Sequence, residues 1–262
     1  MIENQTQILN FPIYKNFSLL NSFWGSALPQ DIIALLDSVI TDFYSNFDNT
    51  MITSIPVLVM NGLTCNPPKI LPERIKIDNF VLIYLATQDR SWCQYSYQFS
   101  HELCHNVVDI DYPPENDRFG WLEESICELA SLCTLNKMSI TWQTNPPYPN
   151  WIDYSNSLSD YVLEIIKDKN NILEITFFEW LNNNLPELFN DRCKRSENRI
   201  IALHLLPIFT KKPELWKAIQ YLKSIIVKGN MSLNEYLLEW KNTIPSALHS
   251  DFNNIIDIFI QK

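Results

Sequence analysis

The sequence predicts an α+β fold, in which a few strands near the start of the chain precede a long helical region. Short apolar runs rich in Ile, Val, Phe and Tyr occur before about residue 87. After residue 136, apolar residues instead recur three or four positions apart, which is the period of a helix. Strands and helices that are segregated along the chain favour α+β over an alternating α/β arrangement.

The first half of the chain combines predicted helices with short predicted strands. Residues 31–47 follow Pro29 and place apolar side chains at helical spacing, whereas residues 55–60 form an apolar run that ends at the turn Asn61-Gly62. The further segments are one or two strands within 74–86, a helix over Trp92–Val108 and a helix over 121–135. Two prolines and a glycine within 111–120 predict a turn between these last two helices.

The second half of the chain is predicted to be helical. Pro213 suits the first position of a helix, and Ser232 with Glu235 has the spacing of a capping box. Residues 141–151 contain three prolines and are the best candidate for a linker, so we expect a catalytic core in 1–140 and a helical subdomain in 141–262. The predicted helices are 154–167, 175–188, 192–209, 213–227 and one following Ser232.

Composition excludes several classes of function. The net charge of −10 argues against a nucleic-acid partner and against docking on anionic lipid. Four glycines are too few for a glycine-rich phosphate-binding loop. The N-terminus lacks the pattern of a secretory signal, and the six cysteines include no C-x-x-C pair, so we expect reduced thiols and a cytoplasmic location. The oligomeric state is not predicted.

The chemistry-bearing motif is His101-Glu102-Leu103-Cys104-His105, an H-E-x-x-H pattern inside a predicted helix. Residues four apart lie on one helix face, so two imidazoles at this spacing can bind one metal ion. Glu102 is offset around the helix and can take a proton from a metal-bound water. The alternative is an ordinary helix that carries two surface histidines and a glutamate.

The following helix supplies acidic residues in the run Gly120-Trp121-Leu122-Glu123-Glu124, and eighteen residues separate His105 from Glu124. With this spacing, residues 80–132 resemble gluzincin metallopeptidases, in particular the aminopeptidase N-like and thermolysin-like families. The resemblance implies a small zincin-like catalytic core, one Zn²⁺ per chain and Glu124 as the third ligand beside His101 and His105. Glu123 competes for that role but would point about 100° away on the helix.

The same resemblance implies roles for neighbouring residues. Glu102 would be the catalytic base, and Glu128, one turn after Glu124, would orient His101 from outside the ligand shell. The chain lacks the G-A-M-E-N motif of aminopeptidase N-like enzymes, so the resemblance does not extend to exopeptidase specificity. Zinc also binds thiolate, but Cys104 and Cys127 are predicted to be small buried apolar residues.

Two features leave alternatives open. Gluzincins use a later Tyr or His to stabilise the oxyanion, and His204 is the candidate chosen here, although its apolar neighbours favour a core histidine. The other donors considered are Tyr154, Tyr161 and Arg199. Residues 79–87 predict either an edge strand that pairs with an extended substrate or a core strand.

The sequence therefore predicts a zinc-dependent metallopeptidase that acts on a peptide or protein substrate, with a metal-bound water activated by Glu102. One alternative is a zinc hydrolase that acts on a non-peptide amide or ester. Another is a binding or regulatory protein whose zinc site is structural or vestigial.

Overall fold

The computed structural model describes residues 7–47, 52–65, 69, 71–109 and 118–260. Strands lie in the first third of the chain and helices dominate the remainder, so the predicted α+β class is confirmed at this level. The strands are β1 (Gln7–Asn10), β2 (Phe17–Asn21), β3 (Val57–Asn61), β4 (Glu73–Ile77) and β5 (Phe80–Leu85). The α-helices are α1 (Pro29–Tyr44), α2 (Trp92–Val108), α3 (Gly120–Thr141), α4 (Tyr154–Lys167), α5 (Phe177–Leu188), α6 (Arg195–Lys211), α7 (Leu233–Thr243) and α8 (His249–Phe259).

The chain forms two compact units that are interleaved along the sequence. The first contains residues 1–45, 49–103 and 134–162, and the second contains residues 46–48, 104–133 and 163–262. Both α2 and α3 are continuous helices that begin in one unit and end in the other. The predicted division into separate domains at residues 140 and 141 stays a prediction.

The first unit is built on a mixed sheet with the strand order β1-β2-β3-β5-β4. The three inner strands are parallel to one another, and the two outer strands are antiparallel to their neighbours. β5 therefore pairs on both sides, which confirms the core-strand interpretation of residues 79–87 and contradicts the edge-strand alternative.

Alternate residues of the inner strands are buried, as expected when one sheet face packs on helices. On β2, Phe17 is fully buried and meets the ring of Phe99 on α2 edge-to-face, with centroids 6.2 Å apart. The helix α1 also contacts β2, and buries its own apolar face. The contact of Phe99 with Phe17 packs α2 on the sheet two residues before His101.

The second unit is helical in its described residues. α5, α6 and α7 all contact α8, and the rings of Trp240 and Phe252 pack edge-to-face between α7 and α8. The Ser232 hydroxyl accepts a hydrogen bond from the Glu235 backbone, while the Glu235 carboxylate accepts from the Ser232 backbone. The predicted capping box at the start of α7 is therefore confirmed.

The boundaries of α2 and α4 match the predicted ones, and α3 continues six residues beyond the predicted end at Leu135, to Thr141. Residues 213–224 form a 3₁₀ helix rather than an α-helix. Buried residues spaced three or four apart are compatible with both helix types, so the sequence pattern did not distinguish them. The strands predicted over 55–60 and within 74–86 correspond to β3, β4 and β5, whereas β1 and β2 were not predicted. Most of the predicted turn at 111–120 lies outside the described residues.

A search of the described residues found no helix that is both long enough and apolar enough to cross a bilayer.

Candidate metal centre

The two histidines of the H-E-x-x-H pattern lie one turn apart on α2, as predicted. His105 occupies the last turn of this helix, which ends because Asp109 adopts a left-handed conformation with φ +46°. The Asp109 N–H nevertheless donates to the His105 carbonyl, at 2.8 Å. The backbone carbonyl of His105 is therefore satisfied at the C-terminal end of the helix.

The structure brings a third potential ligand close to these histidines. His101, His105 and Cys127 each offer one ligand atom, and these atoms all lie within 4.8 Å of one another. Both histidines are partly exposed, whereas Cys127 on α3 is fully buried. Two imidazoles and a thiolate are a donor set that suits zinc.

Glu123 holds one side of the His105 ring. Its Oε1 lies 2.7 Å from His105 Nδ1, and its side chain is only 3% exposed. A proton on Nδ1 that is donated to a carboxylate leaves Nε2 as the atom that can bind a metal. Glu123 therefore has, towards His105, the position of the carboxylate in a carboxylate–histidine–zinc arrangement. The sequence analysis predicted a role of this kind for Glu128, but towards His101.

Glu124 lies on the other side of the same ring. Its Oε2 is 3.7 Å from His105 Nε2, and its side chain is 16% exposed. In a tetrahedral site, two ligand atoms each bonded to zinc at about 2.0–2.1 Å are about 3.4 Å apart. The spacing of Nε2 and Oε2 is slightly longer than that distance. Glu124 is not in the group that His101, His105 and Cys127 form, and its role as a ligand stays a prediction.

An arginine that was not predicted to belong to the site joins the two acids. Arg192, in the turn between α5 and α6, places Nη2 3.0 Å from Glu123 Oε2 and 3.1 Å from Glu124 Oε1. Its Nε donates to the same Glu124 oxygen at 3.2 Å. One guanidinium therefore contacts both carboxylates that flank His105.

The acids also determine the protonation of His105. Burial lowers the pKa of its imidazole, but the charges of Glu123 and Glu124, and their hydrogen bonds, outweigh burial and raise the pKa well above its usual value. In the absence of metal, the imidazolium is therefore stabilised between two carboxylates. The same negative groups would attract a divalent cation.

Glu102, the predicted base, is 2% exposed on α2. A buried carboxylate beside two histidines can act as an acid–base group, because electrostatic interactions strengthen where water is excluded. Its role as the catalytic base stays a prediction.

The remaining predicted residues lie as follows. Glu128 Oε1 accepts from Arg199 Nε at 2.6 Å, and its predicted role towards His101 stays a prediction. The Nδ1–H of His204 donates to the Ile200 carbonyl at 2.8 Å, and its ring stacks on Phe177 with centroids 4.2 Å apart. These contacts are those of the core-histidine alternative, and a catalytic role for His204 also stays a prediction.

Cys104 on α2 and Cys127 on α3 are buried, as predicted. Cys104 and Cys127 are both fully inaccessible, and all six cysteines are free thiols. Burial raises the pKa of Cys127 well above its usual value, and the neighbouring Cys104 and the charges of Glu123 and Glu124 add to this effect. A thiolate at this position would need a nearby cation to stabilise it.

Three features of the site escaped the sequence analysis: the contact of Glu123 with His105, the proximity of Cys127, and Arg192. The consecutive acids Glu123 and Glu124 were the available signal for the first. Arg192 lies 68 residues beyond Glu124, and nothing in the local sequence links them.

Comparisons of the chain with protein-family models, with curated proteins and with solved structures found no match.

Proposed function

We propose that this protein is a zinc-dependent metallopeptidase with a gluzincin-type centre on a zincin-like core. His101, His105 and Glu124 would bind Zn²⁺, and Glu102 would be the catalytic base. The observation that carries the proposal is the setting of His105, whose Nδ1 meets Glu123 at 2.7 Å while its Nε2 lies 3.7 Å from Glu124. This is the setting of a metal-binding imidazole that is oriented by one carboxylate and paired with another.

Glu124 suits the third position better than Cys127 does. Glu124 is partly exposed and directs one oxygen towards His105, while Arg192 holds its other oxygen. Cys127 is fully buried and close to two carboxylates, so forming a thiolate there costs free energy unless a metal is bound. A peptidase centre also needs a side that is open to water and substrate, and the partly exposed Glu124 is consistent with one.

The residues divide the chemistry of peptide hydrolysis between them. Zinc, when bound, would acidify water and polarise the scissile carbonyl. Glu102 would accept the proton of the attacking water and then deliver it to the leaving amine. Glu123 would keep the proton of His105 on Nδ1, so that Nε2 remains available as a ligand.

A non-peptide zinc hydrolase would use the same residues, and only its substrate would differ. A second class of function is favoured by the position of Cys127. A centre of His101, His105 and Cys127 combines the imidazole and thiolate donors that structural zinc sites use, although such sites have a fourth protein ligand. This centre would suit a binding or regulatory protein. In that case zinc would stabilise the fold, and Glu102 would have no role in turnover.

The replacement Glu102→Gln separates these functions. We expect the variant to retain about one zinc per chain, while hydrolysis of a mixed peptide library falls by about 10²–10⁴-fold, because the amide cannot accept the proton of water. The matched control is Glu164→Gln, the same change at an exposed position of α4. Peptides and small amides or esters are screened in parallel, with cleavage products identified by mass spectrometry.

Full activity in Glu102→Gln would refute the base assigned here. Hydrolysis of esters or small amides without any peptide cleavage would replace the peptidase by the other zinc hydrolase. Zinc binding with no turnover of any substrate by the wild type would favour the structural site.

A further inference from the structure

Arg192 contacts both of the acids that flank His105. Its guanidinium donates through Nη2 to Glu123 and through Nε to Glu124, at 3.0 and 3.2 Å. Glu123 and Glu124 are consecutive on α3, so the donors of one guanidinium can reach both carboxylates. Only Arg has donors spaced to bind two carboxylates in this way.

The backbone of Arg192 is itself anchored to the helix that carries the acids. The Asn198 side chain, which is 4% exposed, donates to the Arg192 carbonyl at 2.7 Å. The other end of the same amide accepts from the Ser125 hydroxyl on α3, at 3.3 Å. A buried amide therefore ties the turn of Arg192 to α3 one residue beyond Glu124.

These contacts form a continuous chain of hydrogen bonds and ion pairs from Ser125 through Asn198 and Arg192 to the two acids, and from Glu123 to His105. Two neighbouring carboxylates repel each other, and in a partly buried site that repulsion is only weakly screened. A single guanidinium offsets it and restricts the rotamers of both acids. Glu124 is then left with Oε2 towards His105, because Oε1 is held by Arg192.

We propose that Arg192 is a positioning residue of the metal centre: it fixes Glu123 and Glu124 in the orientations that present His105 Nε2 and Glu124 Oε2 to one zinc ion. The proposal rests on the zinc centre proposed above. The alternative is an ion pair that stabilises the second unit without affecting the centre. Zinc affinity separates the two, because residues that orient ligands typically change metal affinity by about 10–100-fold.

The experiment measures the zinc dissociation constant of the metal-free protein by competition with a chromophoric chelator. Arg192→Lys keeps the positive charge but loses the planar set of guanidinium donors, and Arg192→Gln loses both the charge and these donors. We expect affinity to fall by about tenfold in Arg192→Lys and by up to about 100-fold in Arg192→Gln. The control is Lys194→Gln, which removes the cation of an exposed pair with Glu187 two residues further on, and which should leave affinity unchanged.

A second readout does not depend on zinc. The ¹⁵N chemical shifts of the His105 ring in the metal-free protein report its tautomer and protonation, and we expect them to change in Arg192→Gln and to stay as in the wild type in Lys194→Gln. Urea unfolding of each metal-free variant establishes that it is folded.

The outcomes are distinct. No zinc binding by the wild type would overturn the proposed function and this role with it. Wild-type affinity in both Arg192 variants, with a zinc-binding wild type, would leave the metal centre intact and overturn the role of Arg192.

Discussion

At the scale of single residues, the environment of His105 explains most of the site. One imidazole lies between two acids, and each acid engages a different ring nitrogen. The carboxylates that raise the pKa of His105 would also favour a divalent cation in place of its second proton. The ion pair with Arg192 compensates part of the negative charge that remains.

The identity of the third ligand is testable with Co²⁺, which replaces Zn²⁺ in sites of this kind and reports thiolate ligation as an intense near-ultraviolet absorption. With Glu124 as the ligand, we expect no such band in the wild type. Cys127→Ser should leave the spectrum unchanged, whereas Glu124→Ala should weaken binding by more than the ~10–100-fold of an outer-shell change. Cys193→Ser, at an exposed thiol, is the control. A thiolate band that disappears in Cys127→Ser would make Cys127 the ligand.

At this scale, the sequence predicted the relative positions of residues that lie close together along one helix. His101 and His105 share a helix, so their separation follows from the helical repeat. Arg192 and its contacts depend on how α3 meets the turn after α5, which no short-range pattern encodes. The orientation of Glu123 towards His105 depends likewise on the packing of α3 beside α2.

At the scale of secondary structure, the long periodic helices and the apolar strands β3 to β5 were predictable, whereas β1 and β2 were not. α2 and α4 repeat their apolar residues over several turns, and the predicted bounds agree with those observed. β1 and β2 are recognised by their pairing in the sheet. β2 pairs with β3 although the whole of α1 lies between them in the sequence. Their formation depends on contacts that are distant in sequence, which local periodicity does not reveal.

A buried acid links two of these helices and gives a prediction about pH. Asp42 of α1 is 5% exposed and accepts from the Thr141 hydroxyl at the end of α3, at 2.7 Å. Burial raises its pKa above the ordinary value of 3.8, against the lowering effects of this hydrogen bond and of Lys137. The folded state therefore binds this proton more tightly than the unfolded state does, and the resulting stabilisation is lost as pH rises through the folded-state pKa.

Asn is uncharged at every pH and can still accept from Thr141, so Asp42→Asn should gain stability relative to the wild type as pH is raised from about 4 to 7. Urea unfolding with a chelator present, at both pH values, measures this difference. Asp160→Asn, at an exposed position of α4, controls for loss of a surface charge. An equal effect of Asp42→Asn at both pH values would contradict the prediction.

At the scale of the whole molecule, composition predicted the α+β class but not the interleaving of the two units. α2 and α3 each belong to both units, and this arrangement was not foreseen from the sequence. The roles of the predicted site residues on these two helices stay predictions. A peptide substrate, the lack of nucleic-acid and membrane partners, and a cytoplasmic location remain predictions from charge and motif.

The metal content of the purified protein tests the central claim most directly. We would purify the chain without added metal and count bound metals by mass spectrometry in the wild type and in His101→Ala, because His101 belongs to both ligand sets considered. His249→Ala, at a histidine whose ring meets the Ile244 carbonyl, is the matched control. We expect about one zinc per chain in the wild type and in His249→Ala, and little or none in His101→Ala. Absence of metal from the wild type, even after zinc is supplied, would mean that α2 carries two histidines without a metal centre.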